Sequence, residues 1–100
     1  MMTAKTTIET KTRPWDSAEH LASNEDIAAY LDAVLAENDP ALLTYALGVV
    51  ARARGMTELA RQTGLSRASL YKALSAEGRP ELATVMKVMD AFGVRMSVSA

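Results

Sequence analysis

Residues 56–74 read MTELARQTGLSRASLYKAL, and this stretch decides the fold. It contains two short helical segments, Thr57 to Thr63 and Arg67 to Ser75, separated by Gly64-Leu65-Ser66. Glycine readily adopts the left-handed conformation that ends a helix, and serine caps the next helix by accepting a hydrogen bond from a backbone amide. The pattern predicts a helix-turn-helix over residues 56–75.

The motif has two possible interpretations, an ordinary helical hairpin and a DNA-binding helix-turn-helix. Leucines at helical spacing face inward, and they are Leu59, Leu65, Leu70 and Leu74. Such leucines are usually just core, so they fit an ordinary helical hairpin equally well. The combination of small Ala60, turn-forming Gly64 and capping Ser66 with a basic outer face is more specific. It favours a motif that binds duplex DNA.

The outer side of the second helix carries the candidate DNA contacts, which are Arg67, Ala68, Ser69, Tyr71 and Lys72. A cation, small residues and an aromatic ring suit a helix that enters a major groove. The Ser66 hydroxyl and the nearby amides can hold a backbone phosphate. Arg61 and Arg79 can add positioning contacts that do not read sequence, although a solvated loop arginine is equally common at position 79.

Length, composition and charge distribution limit the class of protein. One hundred residues that are 49% hydrophobic suffice for one domain with its own core. The net charge of −1 argues on its face against nucleic acid. However, residues 1–51 carry three basic and eight acidic side chains, whereas residues 52–79 carry six basic and two acidic ones. This asymmetry suggests two faces with different partners, or else ordinary scatter over a solvated surface.

Several classes of function have no support in the sequence. The chain has no cysteine, and its single histidine, His20, falls in a predicted surface turn, so no nucleophile–base pair is available. It also lacks a glycine-rich phosphate loop and metal-ligand spacing, so we expect no enzyme activity, no cofactor and no metal. Without a signal peptide or an apolar run of about 18 residues, the expected protein is cytoplasmic and makes no membrane contact.

Two helices are predicted on the N-terminal side of the motif. Residues 1–13 show no helical period and are expected to be flexible or extended, so the domain spans 14–100, with Trp15 covering core. Asn24 is expected to cap a helix whose apolar stripe is Ile27, Leu31, Val34 and Leu35. Asp39-Pro40 then restarts the chain as a helix over Ala41 to Ala53, which is apolar nearly all round and is closed by Gly55.

One helix and one strand are predicted on the C-terminal side. Pro80 begins a helix with the apolar stripe Leu82, Val85, Met86 and Met89, closed by Gly93. Beyond it, Val94, Met96 and Val98 alternate with polar residues, which predicts a half-buried strand. This strand needs a partner edge, either in a second copy, which is slightly preferred, or at Thr6 to Thr10 of its own chain. The predicted fold is all-α, with five helices and a short C-terminal β-strand.

The segment ARARGMTELARQTGLSRASLYKALSAEGRPELATVMKVMDAFGVRM resembles the addiction-module antidote proteins, HigA-like antitoxins with a lambda-repressor-like helix-turn-helix. The preceding segments WDSAEHL and NEDIAAYLDAVLAENDPALLTYALGVVARARG are also similar to theirs. The resemblance covers nearly the whole chain beyond Arg13. It implies a lambda-repressor-like fold and a homodimeric antitoxin that binds its own operator as a repressor. It also implies a partner, a toxin of the RelE/ParE superfamily, usually one that cleaves mRNA.

The resemblance assigns roles on the second helix of the motif. Arg67, Ala68 and Lys72 match positions that face bases in lambda-repressor-like helices. Ser66, Ser69 and Tyr71 match positions at the flank of the bases or at phosphates. The alternative function is a stand-alone phage-type transcriptional regulator, and a toxin-like reading frame beside the gene would decide against it. A third possibility is a protein-interaction module that has lost DNA binding.

The acidic half of the chain offers a candidate surface for such a toxin. A toxin that binds RNA is expected to be basic, so complementary charge would favour its association with this half. The residues that we expect to contact it are Glu25, Asp26, Asp32 and Glu37. The family resemblance supplies no residue for this surface. A homodimer is expected on independent grounds, because one recognition helix buries too little surface for tight specific binding to DNA.

Overall fold

The computed structural model describes residues 21–100, and most of these residues are helical. The helices are α1 Asn24–Leu35, α2 Pro40–Arg54, α3 Met56–Thr63, α4 Arg67–Ala73 and α5 Leu82–Ala91. The predicted all-helical class and the number of helices are confirmed for this part of the chain. Predictions for Trp15, His20 and the segment 1–13 fall outside the described residues.

Side-chain caps mark where α1 and α2 begin. The Asp39 carboxylate accepts hydrogen bonds from two backbone amides of α2, at 3.0 and 3.3 Å, and Pro40 occupies the first turn, as predicted. The cap of α1 is not Asn24 but Ser23, whose hydroxyl accepts a hydrogen bond from the backbone amide of Asp26 at 3.0 Å. Asn24 lies inside the helix instead, and its side-chain oxygen accepts a hydrogen bond from Arg54 at 3.3 Å. The prediction was one residue late because either side chain is a competent cap.

The core lies where the helices meet around α2. The α1 helix packs on α2, α2 also packs on α3, and α3 contacts both α4 and α5. The largest side chains in this core are fully buried: Leu21, Ile27, Leu31, Leu47, Val50, Leu70, Val88 and Phe92. Burial of a side chain of this size contributes about 1.5–3 kcal/mol. Six residues of α2 are buried, in keeping with its apolar sequence.

The α5 helix differs from its prediction at its start and on its buried face. It begins at Leu82, because Glu81 before it has an extended backbone with ψ of 154°. Its buried side chains are Val85, Val88 and Met89, with Phe92 following at the C-cap. Leu82 and Met86 are instead 64% and 54% exposed. The apolar side chains of this helix form two neighbouring rows along its surface. The core packs against the row that includes Val85, Val88 and Phe92.

The predicted strand Val94–Val98 is wrong. Gly93, with φ of 83°, ends α5 in the left-handed conformation, and residues 94–100 contain no regular secondary structure. Val94 packs against the core, but Val98 is 99% exposed. Alternation of apolar and polar residues is insufficient, because strand N–H and C=O groups need a neighbouring edge. Residues 21–100 offer none.

No helix among residues 21–100 is both long enough and apolar enough to cross a lipid bilayer. No group of three histidine, cysteine, aspartate or glutamate side chains in this range is arranged to hold a metal ion.

Candidate nucleic-acid interface

The turn between α3 and α4 has the local geometry that the sequence predicts. Gly64 is left-handed, with φ 78° and ψ 8°, and its N–H donates to the Ala60 carbonyl at 2.9 Å. A Cβ at this position would meet nothing within 4 Å, so the backbone conformation, not crowding, favours glycine. The Thr63 hydroxyl accepts the Leu65 amide at 3.3 Å and closes the turn.

Ser66 caps α4, and its hydroxyl is used within the chain. The Ser66 Oγ accepts a hydrogen bond from the Ser69 amide at 3.0 Å and lies 2.9 Å from the Ser69 Oγ. The two hydroxyls share one hydrogen bond, so one hydroxyl proton of the pair remains for another acceptor. The phosphate contact predicted for Ser66 stays a prediction.

Two buried leucines orient α4 against the core. Leu70 is 0% exposed and Leu74, just after the helix, is 3% exposed. The predicted contact residues on the remaining face are all exposed: Arg67, Ala68, Ser69, Tyr71 and Lys72. Of the other leucines of the motif, Leu59 is buried, whereas Leu65 is only partly buried against the core. The helix is thus anchored on one side and accessible on the other.

Arg67 and Tyr71 lie one turn apart on the exposed face of α4. The guanidinium carbon of Arg67 is 5.8 Å from the centre of the Tyr71 ring, which is cation–π distance. Such a contact at an exposed site contributes about 0.5–1 kcal/mol and limits the rotamers of the arginine. Sequence reasoning identified both residues but not their contact, which the spacing of four residues would have indicated.

Arg61 on α3 is paired, a fact that sequence reasoning missed. Its guanidinium binds both carboxylate oxygens of Glu58, with Nε donating to Oε1 at 3.1 Å. The hydrogen bond and the charge of Arg61 lower the pKa of Glu58, and Glu58 raises the pKa of Arg61. The spacing of three residues along a helix was the signal for this pair. Glu58 therefore partly compensates the charge that Arg61 could offer to a phosphate.

A depression of about 430 Å³ separates α4 from the loop that precedes α5. Ser69 and Lys72 line it from α4, and Arg79 lines it from the loop. Gly78 makes this arrangement possible, because a Cβ there would collide with the carbonyl of Ala73 at the end of α4. Three of the predicted phosphate or base contacts are thereby brought together around one depression.

Acidic residues also line this depression. Glu77 and Glu81 belong to its wall, and the sequence-based interpretation did not consider them. Two cations and two carboxylates therefore share the depression, so its formal charge is balanced. Arg67 is not among its lining residues. Unlike Lys72, it therefore does not share the depression with these glutamates.

The four candidate toxin contacts lie on or just after α1, and all are exposed. Glu25 and Asp26 occupy the first turn, where carboxylates stabilise a helix through its dipole. Asp32 lies further along the same helix, and Glu37 follows its end. Among residues 21–100 the Arg61–Glu58 pair is the one salt bridge, so none of these four carboxylates is neutralised by a cation there.

Comparison with known proteins assigns the family. A family model described as "probable addiction module antidote protein" matches residues 11–100. The chain belongs to this antidote family. The chain is similar to a protein of Haemophilus influenzae (strain ATCC 51907 / DSM 11121 / KW20 / Rd) that is described as an uncharacterized protein. It is 50% identical over 86 residues, which are 86% of this chain and 89% of the relative.

The resemblance to addiction-module antidotes is thereby confirmed at the level of the family. Membership of the antidote family implies a toxin as partner. No solved structure gives a significant match to the antidote. The HigA-like and lambda-repressor-like features remain predictions.

Proposed function

We propose that this chain is the antitoxin of a type II toxin–antitoxin module. It neutralises a RelE/ParE-like toxin and, as a homodimer, binds operator DNA to repress its own synthesis. The observation that supports DNA binding most directly is α4, which Leu70 and Leu74 hold against the core while its polar and basic face stays exposed. Membership of the antidote family supports the toxin partner.

The chemistry of α4 suits direct reading of bases. A guanidinium such as that of Arg67 can donate two hydrogen bonds to a guanine edge in the major groove. Ala68 beside it is small and lets the helix approach the bases closely. Lys72 lies one turn further along the exposed side. Ser69 and Tyr71 can contact the flanking phosphates or bases, and such contacts fix the register of the helix on the duplex.

The balance of charge around α4 predicts which cation matters most. Lys72 and Arg79 share their depression with Glu77 and Glu81, so their attraction for phosphates is partly offset. Arg61 is similarly offset by Glu58. Arg67 contacts the neutral ring of Tyr71 instead. We therefore expect removal of the Arg67 side chain to weaken DNA binding more than removal of any other of these cations.

A homodimer completes the proposed DNA-binding surface. The α4 helix has seven residues, so one copy can contact only a few base pairs. Two-fold dimers place two such helices in successive major grooves, on half-sites about 34–36 Å apart. Without its partner, a single α4 would supply too small an interface for specific binding.

Titration of the purified chain with a duplex from upstream of its gene tests the repressor half. Fluorescence anisotropy at two salt concentrations should show affinity that falls steeply with salt, because phosphate contacts release counterions. Arg67→Ala should weaken binding by about 1–3 kcal/mol, or roughly 5- to 150-fold in the dissociation constant. Lys87→Ala is the matched control, since it removes one exposed cation from α5 that does not line the depression beside α4.

Two results would contradict this function. Equal affinities for Arg67→Ala and Lys87→Ala would show that α4 does not read the DNA. Specific DNA binding in a chain with no toxin-like reading frame beside its gene would instead favour the stand-alone regulator.

A further inference from the structure

A groove lies between α1 and the chain that follows α5. Its volume is about 750 Å³. One wall is α1, which contributes Glu25, Ala28 and Asp32, and the other is the segment from Gly93 to Ser97. No residue of α3 or α4 lines it, so the groove is separate from the candidate DNA-binding face.

The α1 wall of this groove is acidic. Glu25 and Asp32 are seven residues apart, which places both carboxylates on one face of the helix, two turns apart. The α1 sequence NEDIAAYLDAVL contains no basic residue. Arg95 on the opposite wall is the one cation among the lining residues, and it forms no salt bridge with either carboxylate. The groove thus carries more negative than positive charge.

Apolar side chains lie beside these carboxylates in the same groove. Leu35 and Met96 are 37% and 43% exposed, and Ala28 is also exposed. Leu31 and Met89, which are buried, form part of the lining as well. An occupant that matches this surface has cationic side chains about two helical turns apart, with apolar side chains between or beside them.

We propose that this groove binds a basic, partly apolar segment of the toxin. The inference rests on the proposed antitoxin function and assigns that function a surface. It also divides the four acidic residues identified from the sequence. Glu25 and Asp32 line the groove, whereas Asp26 and Glu37 do not, although they carry the same charge. Only the first two contact the toxin.

Charge disfavours two other possible occupants of the groove, a second copy of this chain and the chain's own residues 1–20. A second copy packed symmetrically on this face would bring acidic α1 against acidic α1, and like charges opposite each other are unfavourable. Residues 1–20 carry three basic and three acidic side chains, so they offer no net charge of the opposite sign. A toxin that binds RNA is expected to have a positively charged surface, which is complementary to the negatively charged groove.

Charge reversals at neighbouring positions of α1 provide a matched test. Glu25→Lys and Asp26→Lys make the same change in net charge, and both lie in the first turn, so their cost to the helix dipole is similar. Only Glu25 lines the groove. Asp32→Lys and Glu37→Lys form a second pair, and Leu35→Ser tests the apolar part. Circular dichroism and operator binding of each variant check that the fold and the α4 face are intact.

Binding of the purified protein encoded by the adjacent toxin gene is the readout, measured by biolayer interferometry. Glu25→Lys and Asp32→Lys should each raise the dissociation constant by about tenfold or more, with a slower association rate. Asp26→Lys and Glu37→Lys should change it by less than about threefold, as is usual for exposed charges outside a contact.

Each other outcome overturns a stated part of the proposal. If the unsubstituted chain does not bind this protein, the antitoxin function itself is wrong. If it binds and Glu25→Lys behaves like Asp26→Lys, the groove is not the toxin site. A change of oligomeric state with intact toxin binding would assign the groove to a second copy. If the groove variants are cleaved more readily by protease within residues 1–20 and still bind the toxin, the groove belongs to the chain's own N-terminal segment.

Discussion

At the scale of single residues, the ion pair between Glu58 and Arg61 changes the role expected for Arg61. A surface pair of this kind contributes little to stability, because solvent screens both charges. Its effect is on charge: the Glu58 carboxylate partly compensates the positive charge of Arg61 on α3. The pair therefore assigns Arg61 a smaller share of DNA affinity than its charge alone would suggest.

The same pair predicts a pKa change that can be measured. The hydrogen bond from Arg61 lowers the pKa of Glu58 below the ordinary value of 4.5. Arg61→Gln should raise it again, as followed by NMR of the glutamate carboxyl carbon during acid titration. The small stabilisation from the pair should be present above the unfolded-state pKa and be lost as the pH falls through the folded-state pKa. An unchanged Glu58 titration in Arg61→Gln would mean that the pair does not persist in solution.

At the scale of helices, the side chain of Ser66 caps the start of α4. Its seven residues are too few to form a stable helix in isolation, so packing of Leu70 and capping by Ser66 must both stabilise it. The Ser66 hydroxyl accepts the amide of Ser69 and thereby satisfies a donor that the first turn would otherwise leave unpaired. Correct presentation of Arg67 thus depends on a residue that need not touch DNA.

Removal of this cap should destabilise the chain measurably. Ser66→Ala should lower the free energy of unfolding by about 1 kcal/mol, as determined by urea denaturation followed by circular dichroism. Ser69→Ala is the control, because it loses only the contact between the two hydroxyls and keeps the backbone amide that the cap binds. A Ser69→Ala effect as large as that of Ser66→Ala would show that the hydroxyl pair, and not the amide cap, stabilises the helix.

At the scale of the whole molecule, two candidate surfaces are built from different elements. The candidate DNA-binding face belongs to α4 and the loop before α5, and the groove belongs to α1 and the segment after α5. Residues 94–100 form no strand in the described part of this single chain, so another surface can be considered for the proposed dimer. An exposed apolar pair on α5, Leu82 and Met86, lies one turn apart and is a candidate for this role.

The proposed homodimer predicts the effect of a charge at this pair. If α5 packs against α5 of a second copy, Met86→Glu should place two carboxylates close together in an apolar contact and shift the chain toward monomer. Sedimentation equilibrium measures this shift. Tyr45→Glu on α2 is the control, since Tyr45 is a similarly exposed large side chain at 55%. Dissociation by Tyr45→Glu alone would place the interface on α2, and a monomeric unsubstituted chain would contradict the homodimer.

Local signals in the chain were enough to predict most of the secondary structure. Asp39-Pro40 and Gly64 each act through their own backbone or that of residues a few positions away, so their effects can be read without a fold. The leucines of the motif and the apolar α2 similarly indicated a buried side. The resemblance to addiction-module antidotes, drawn from segments over nearly the whole chain beyond Arg13, is confirmed at the level of the family, because residues 11–100 match the antidote family.

Contacts between distant parts of the chain decided the rest. Two apolar rows on α5 were equally good from periodicity, and only packing against the core selected the one through Val85 and Val88. The segment Val94–Val98 had the pattern of a strand but no neighbouring edge, so its backbone stayed irregular. Likewise, Glu25 and Asp26 are equivalent neighbours in the sequence, yet only Glu25 faces the chain that returns beside α1 after Gly93. Caps and turns depend on neighbours in the chain, whereas buried faces, strands and grooves depend on residues that only folding brings together.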